Sequence, residues 1–220
     1  MAHRAEEKER RRQERIAQEE AARKAAARKR TLQVGGGVVL GLAVIAVIAI
    51  VALAGGGGSK DKTADISKLT ADAKAAGCTF SQFKSEGRNH TASKVTYKTN
   101  PPTSGNHNPT PAQDGIYRAG NSPPKENFVH TLEHGRIEFQ YKPGTSAADV
   151  AKLRALAEEP FNGTAGYHVL LFENNTNMPA QFAATAWTKS ITCPTLSAKA
   201  LAAMREFRAA FTDKGPELIP

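Results

Sequence analysis

The stretch VHTLEHGRIEFQY, residues 129–141, places His130 and His134 four residues apart, follows them with a glycine and continues as a strand-like run. On an α-helix four residues advance by about 400°, so the two imidazoles would lie on one face with Cβ atoms about 5–6 Å apart. On a β-strand the same four residues span about 13 Å. A metal ion bound by both histidines therefore requires a helical turn over residues 129–134.

The residues on either side of the histidine pair permit such a turn. The segment PPKE at 123–126 can start a helix, and Gly135 can adopt the left-handed conformation that ends one. Phe128 and Val129 would equally suit the entry into a strand. We predict the helix from these start and stop signals, and a site shared by the two histidines depends on it.

Other helices and strands mix along residues 65–220 without a regular βαβ repeat. The strand that follows the histidine pair should place Ile137, Phe139 and Tyr141 on one face. The segment YHVLLFEN is largely apolar and is predicted to be a central strand. Strands are predicted at 78–83, 94–99, 136–142, 167–174 and 182–193, and further helices at 65–77, 146–159 and 195–215. The fold class is therefore predicted as α+β, a mostly antiparallel sheet with flanking helices.

A long loop precedes the histidine pair. Residues 99–127 are so rich in Pro, Gly, Asn and Ser that neither a helix nor a central strand can run through most of them. Loops of this length inside a compact domain are uncommon and often functional. The single histidine of this loop, His107, is therefore a candidate functional residue.

The N-terminal part of the chain is charged and then apolar. Residues 1–33 contain 11 of the 30 Lys and Arg residues and 6 of the 21 acids. Residues 34–54 carry no charge, and a helix of that length spans about 30 Å of hydrocarbon. We predict a charged cytoplasmic arm over 1–33 and an uncleaved transmembrane helix over 34–54. A cleaved signal peptide ending at residue 54 is the alternative.

The charges flanking the span set its predicted orientation. Arg28, Lys29 and Arg30 adjoin it on the N-terminal side, so the N-terminus should be cytoplasmic. A flexible linker over 55–64 would then lead to an extracytoplasmic domain over 65–220, with the lipid bilayer as partner. The external part has no basic patch with interleaved aromatic residues, which argues against a nucleic-acid partner.

The two cysteines, Cys78 and Cys193, both fall in the predicted external domain. An oxidising compartment favours a disulfide between them. Such a bond would close a loop of about 115 residues and stabilise the domain by about 4–5 kcal/mol in the chain-entropy model. Two unpaired buried thiols are the alternative.

Two long motifs carry a family resemblance. YKTNPPTSGNHNP followed by GIYR, then VHTLEHGRIEFQY and the later ATAW, resemble the bacterial family called domain of unknown function 3105. The resemblance covers roughly residues 78–216. It implies an N-terminal membrane span in many members and no activity that can be carried over. His90 in EGRNHT matches a histidine of the family pattern, and His168 in GYHVLLF matches another less closely.

The histidines suggest a metal site. His107, His130 and His134 are the predicted ligands, with His90 as a fourth, and a set of imidazole nitrogens suits Zn²⁺ or Cu²⁺. Glu133 or Glu138 could orient a ligand imidazole from outside the ligand set. Purely structural histidines in an envelope interaction module, with an unknown protein partner, are the alternative.

The segment HTLEH also fits the HxxEH pattern of inverted zincins. In such an enzyme Glu133 would be the general base, so this residue is a weak catalytic candidate. The mechanism needs a third ligand and an open position for water. A metal-dependent hydrolase is therefore a minor alternative, and no other catalytic residue is predicted.

Overall fold

The computed structural model describes residues 65–217 and 219. The predicted arm over 1–33, the membrane span over 34–54 and the linker over 55–64 lie outside these residues. Among the described residues no helix is both long enough and apolar enough to cross a membrane.

Four helices and eight strands make up the described part. The helices are α1 (Ile66–Ala75), α2 (Lys125–Glu133), α3 (Ala147–Glu158) and α4 (Ala198–Phe211). The strands are β1 (Thr79–Gln82), β2 (Gly115–Ile116), β3 (Ile137–Tyr141), β4 (Pro160–Phe161), β5 (Thr164–Ala165), β6 (Val169–Glu173), β7 (Phe182–Ala186) and β8 (Lys189–Cys193). Strands β4 and β5 form a separate hairpin. The fold is α+β, as predicted.

The central sheet is mixed rather than mostly antiparallel, which corrects the sequence-based expectation. Its strand order is β1-β8-β7-β3-β6-β2. The pairs β1–β8, β8–β7 and β7–β3 are antiparallel, whereas β3–β6 and β6–β2 are parallel. The chain between β3 and β6 contains α3, and a crossover of this length allows the return strand to run parallel. The predicted central position of β6 is confirmed.

The sheet separates two apolar clusters. The larger cluster packs α1, α3 and α4 against one face of the sheet, including Phe139 of β3 and Phe207 of α4. The smaller cluster packs α2 against other residues of the sheet, with Phe128 against Phe172 of β6. All five residues of β3 are buried. Ile137, Phe139 and Tyr141 belong to the larger cluster, and Glu138 and Gln140 alternate with them on the other face of the strand.

One predicted strand is wrong. Residues 94–99, KVTYKT, contain no strand in the structure. Carboxylates take the place of a neighbouring strand as backbone partners: Glu126 accepts from the Val95 N–H, and Glu86 accepts from the N–H groups of Lys98 and Thr99. Aromatic and β-branched residues predicted a strand here, but its backbone N–H groups donate to side-chain carboxylates instead of to a neighbouring strand.

The predicted disulfide is confirmed. Cys78 and Cys193 are bonded and join the start of β1 to the end of β8 across 115 residues of chain. Both residues belong to the larger apolar cluster. The bond therefore links the edge strand β1 to its neighbour β8 within the cluster that α1 and α4 cover.

Candidate metal centre

Helix α2 carries His130 and Glu133, and His134 follows at its C-terminal end. It begins after Pro124 and ends with His134 as its C-terminal cap, and Gly135 follows with φ of 77°. The predicted helical turn is thus confirmed, with the predicted glycine stop. The imidazole Nε2 atoms of His130 and His134 lie 3.0 Å apart.

Two loop segments bring further imidazoles to the same helix. His90 and His107 lie opposite each other in a short parallel bridge. The Thr91 N–H donates to the His107 carbonyl at 2.7 Å, and the His107 N–H donates to the Asn89 carbonyl at 3.1 Å. The ring of His107 lies 4.6 Å from that of His130, centroid to centroid, and His90 lies 4.8 Å from His130.

The ligand atoms fall into two groups that share one residue. The first, which we call the inner cluster, contains ligand atoms within 4.8 Å of one another from His90, His107, His130 and Glu133. The second, the outer cluster, contains ligand atoms equally close together from His130, His134 and Glu217.

The clusters divide the predicted histidines. Three of the four, His90, His107 and His130, come together in the inner cluster, whereas His134 meets only His130 in the outer one. Glu133, predicted to support a ligand from outside, instead presents a ligand atom itself. Glu217 was missed, because nothing in the DKGPELIP segment sets this acid apart from other surface acids.

The hydrogen bonds of two imidazoles fix which nitrogen faces the cluster. His107 Nδ1 lies 2.8 Å from the Gly105 carbonyl, and His130 Nδ1 lies 2.7 Å from the Asn108 carbonyl. Since a carbonyl only accepts, each Nδ1 carries a proton, and each Nε2 carries a lone pair when the ring is neutral. Metal-ligating histidines are commonly oriented in this way.

The contact between His107 and Glu133 brings together two buried groups that can each accept a hydrogen bond. His107 Nε2 lies 2.9 Å from Glu133 Oε2, and both side chains are almost fully buried. Yet His107 Nε2 makes no hydrogen bond with any described residue. A neutral imidazole with its proton on Nδ1 has only a lone pair at Nε2, and the 2.9 Å contact with Glu133 lacks hydrogen-bond geometry. Either a proton or a cation is needed to satisfy both acceptors.

The electrostatics of the site favour neutral imidazoles. Burial lowers the pKa of His107 and of His130, and the neighbouring imidazoles add to the effect. Burial likewise lowers the pKa of His134, to about 4, with His130 and Arg136 contributing. Neutral imidazole is the form that binds a metal ion.

Glu133 is shifted in the opposite sense. Burial raises its pKa, the nearby Glu217 carboxylate adds to the rise, and Arg88 opposes it. Arg88 Nε lies 3.6 Å from Glu133 Oε1, with an Arg88 side chain that is 61% exposed. The inner cluster therefore has a cationic group on its solvent-facing side.

Glu138, the other predicted supporting acid, lies in a separate polar network. It is fully buried, and its oxygens contact Thr131 Oγ1 at 3.1 Å, Thr185 Oγ1 at 2.8 Å and Gln140 Nε2 at 3.1 Å. The Thr131 hydroxyl also lies 2.6 Å from the Phe128 carbonyl, so two acceptors share its one proton. Burial raises the pKa of Glu138 to about 8, which outweighs the opposing effect of the hydrogen bonds from Thr185, Thr131 and Gln140.

A cavity adjoins the outer cluster. It has a volume of about 280 Å³ and lies beside His134. Its lining combines one cation and one acid with apolar and polar groups: Pro111, Ala112, Gln113, Asp114, Thr131, His134, Arg136 and Ile219.

His168 lies elsewhere. Its Nδ1 is 2.6 Å from Asp213 Oδ1, and its ring stacks on Tyr167. It belongs to neither cluster.

Comparison with known proteins identifies the family. A family model described as "Protein of unknown function (DUF3105)" matches residues 89–218, more than half of the chain, and the chain belongs to this family. The matched segment contains every residue of the inner and outer clusters. No curated protein and no solved structure matches the chain.

Proposed function

We propose that this protein is an extracytoplasmic metal-binding protein that holds one Zn²⁺ or Cu²⁺ ion in the inner cluster. The observation that carries the proposal is the unbalanced contact between His107 Nε2 and the Glu133 carboxylate. Two buried acceptors lie 2.9 Å apart there, and a bound cation would satisfy both.

The donor set defines the class of ion. Three imidazole nitrogens and one carboxylate oxygen suit Zn²⁺ or Cu²⁺, whereas Cu⁺ prefers sulfur and Mg²⁺ or Ca²⁺ prefers oxygen. Two of the imidazoles are already oriented by backbone carbonyls, so little rotamer freedom remains to be lost on binding.

The site is accessible from solvent. His90 is exposed, while His107, His130 and Glu133 are buried around it. A structural zinc site is closed by four protein ligands, and a catalytic site keeps one position open. The outer cluster has three protein ligands and adjoins the cavity beside His134, which favours a metal-dependent reaction on a small molecule as the second candidate function.

The direct test is metal content. The full-length protein, purified in a mild detergent, should retain about one equivalent of Zn or Cu by inductively coupled plasma mass spectrometry. His107→Ala should lose that metal, because it removes a buried ligand. His168→Gln is the matched control, since it removes a histidine outside both clusters and should retain the metal. Absence of metal in the wild type would leave the histidines as structural residues of an interaction module.

We also propose that the domain is tethered to the outer face of the cell membrane by residues 34–54. The disulfide supports this location, because such bonds persist in oxidising compartments. Protease added to intact cells should remove the domain and spare the arm over residues 1–33. A protected domain would overturn the proposed orientation.

A further inference from the structure

The inner and outer clusters depend on the same nitrogen. His130 belongs to both, and its Nδ1 is engaged with the Asn108 carbonyl. Only Nε2 remains, and one imidazole nitrogen binds one ion. An ion held by His130 in one cluster is therefore absent from the other.

The two clusters present different charges to solvent. Glu217 of the outer cluster is 46% exposed, and its carboxylate lies 3.6 Å from His134 Nε2. On the inner side, the exposed guanidinium of Arg88 stands beside Glu133. Cations are attracted to the Glu217 carboxylate and repelled by the Arg88 guanidinium. Arg136, the cation beside His134, is paired with Asp114 at 3.4 Å, so the outer cluster is the favoured entrance.

The C-terminal segment holds Glu217 at this entrance through its backbone. The Asp213 N–H donates to the Gly135 carbonyl at 2.9 Å, and the Glu217 N–H donates to the Glu133 carbonyl at 3.0 Å. Between them Gly215 passes so close to helix α2 that an added Cβ would lie 2.1 Å from the Glu133 carbonyl oxygen. The approach thus requires glycine at 215.

We propose that Glu217 and His134 form a loading position, from which a single ion passes to the inner cluster through the shared His130. This inference rests on the proposed function. In the loading position the ion is held by His130, His134 and Glu217, and in the resting position by His90, His107, His130 and Glu133. The transfer exchanges ligands around His130 and changes no oxidation state.

The experiment measures both directions of binding on the full-length protein. Zn²⁺ loading is followed by stopped flow, and Zn²⁺ release is followed with a chromophoric chelator in excess. A group on the path affects both directions alike, so Glu217→Gln should slow loading and release each by about tenfold. Glu158→Gln, an exposed acid on α3, is the control and should leave both rates unchanged.

Other outcomes overturn the inference. Faster release with unchanged loading in Glu217→Gln would mean that Glu217 binds the ion in its resting position. Unchanged rates would remove Glu217 from the path, and two ions per chain would show a binuclear site. A wild-type protein that binds no Zn²⁺ or Cu²⁺ would instead refute the proposed function itself. Circular dichroism of Glu217→Gln checks that the fold is retained.

Discussion

The two apolar clusters of the sheet differ in what is buried beside them. The larger one, against α1, α3 and α4, is mainly apolar and contains the disulfide. Arg208 of α4 is also buried on this side, where it donates to the Leu156 and Glu159 carbonyls. The smaller one, against α2, lies beside buried imidazoles and carboxylates, including His107, Glu133 and Glu138. Burying such groups costs free energy unless each finds a partner. The mainly apolar side therefore supports the stability of the domain, and the other side holds the residues of the proposed metal site.

The largest effect is expected from the disulfide on the apolar side. Cys193→Ser should lower the free energy of unfolding by about 4–5 kcal/mol, because it frees a long loop in the unfolded chain. Urea denaturation measures this change. Wild-type protein in reductant is the control and should lose a similar amount. A loss below about 1 kcal/mol in both would show that packing alone holds β1 against β8.

Two buried rings on opposite sides give a direct comparison. Phe207 and His107 are each 0% exposed. Phe207→Ala should cost about 3–5 kcal/mol of unfolding free energy, because it leaves an apolar cavity. His107→Ala should cost less in the metal-free protein, since it also removes a buried nitrogen that lacks a hydrogen-bond partner.

Metal retention should show the reverse order. Phe207→Ala, as far as it folds, should keep the metal, and His107→Ala should lose it. If Phe207→Ala lost the metal while remaining folded, the division between a stabilising side and a chemical side would be wrong.

The buried acid Glu138 should make stability depend on pH. Its pKa is raised from 4.5 to about 8, so the folded state keeps a proton that the unfolded chain releases. Stability is therefore full below about pH 4.5, falls as pH rises, and has lost this contribution once pH passes about 8. Glu138→Gln keeps a donor and an acceptor without the charge.

The difference between Glu138→Gln and wild type isolates this one group from the histidines. The variant should become more stable relative to wild type, by several kcal/mol in total, as pH rises from 4.5 to 8. Urea denaturation at a series of pH values measures the difference. A pH-independent difference would mean that Glu138 is ionised in the folded state.

The sequence predicted features that local chemistry determines. The helix at HTLEH followed from the residue spacing, the prolines at 123 and 124 and the glycine at 135. The disulfide followed from two cysteines in a predicted oxidising compartment.

Features that depend on tertiary contacts were missed. Parallel and antiparallel neighbours impose similar residue patterns on a buried strand, so the mixed sheet was not evident. The strand predicted at 94–99 failed because Glu86 and Glu126 reach its N–H groups from elsewhere in the chain. Glu217 arrives at the site through backbone hydrogen bonds, which leave no periodic signal.

X-ray absorption at the metal edge of the loaded full-length protein identifies the atoms that bind the ion. A Zn²⁺ ion in the inner cluster should have nitrogen and oxygen neighbours at about 2.0–2.1 Å, with the outer-shell scattering of three imidazoles. His107→Ala should lower the imidazole contribution or abolish binding, and His168→Gln should leave the spectrum unchanged. A spectrum with only water oxygens around the ion, or one unaffected by His107→Ala, would contradict the assignment of the inner cluster as the metal site.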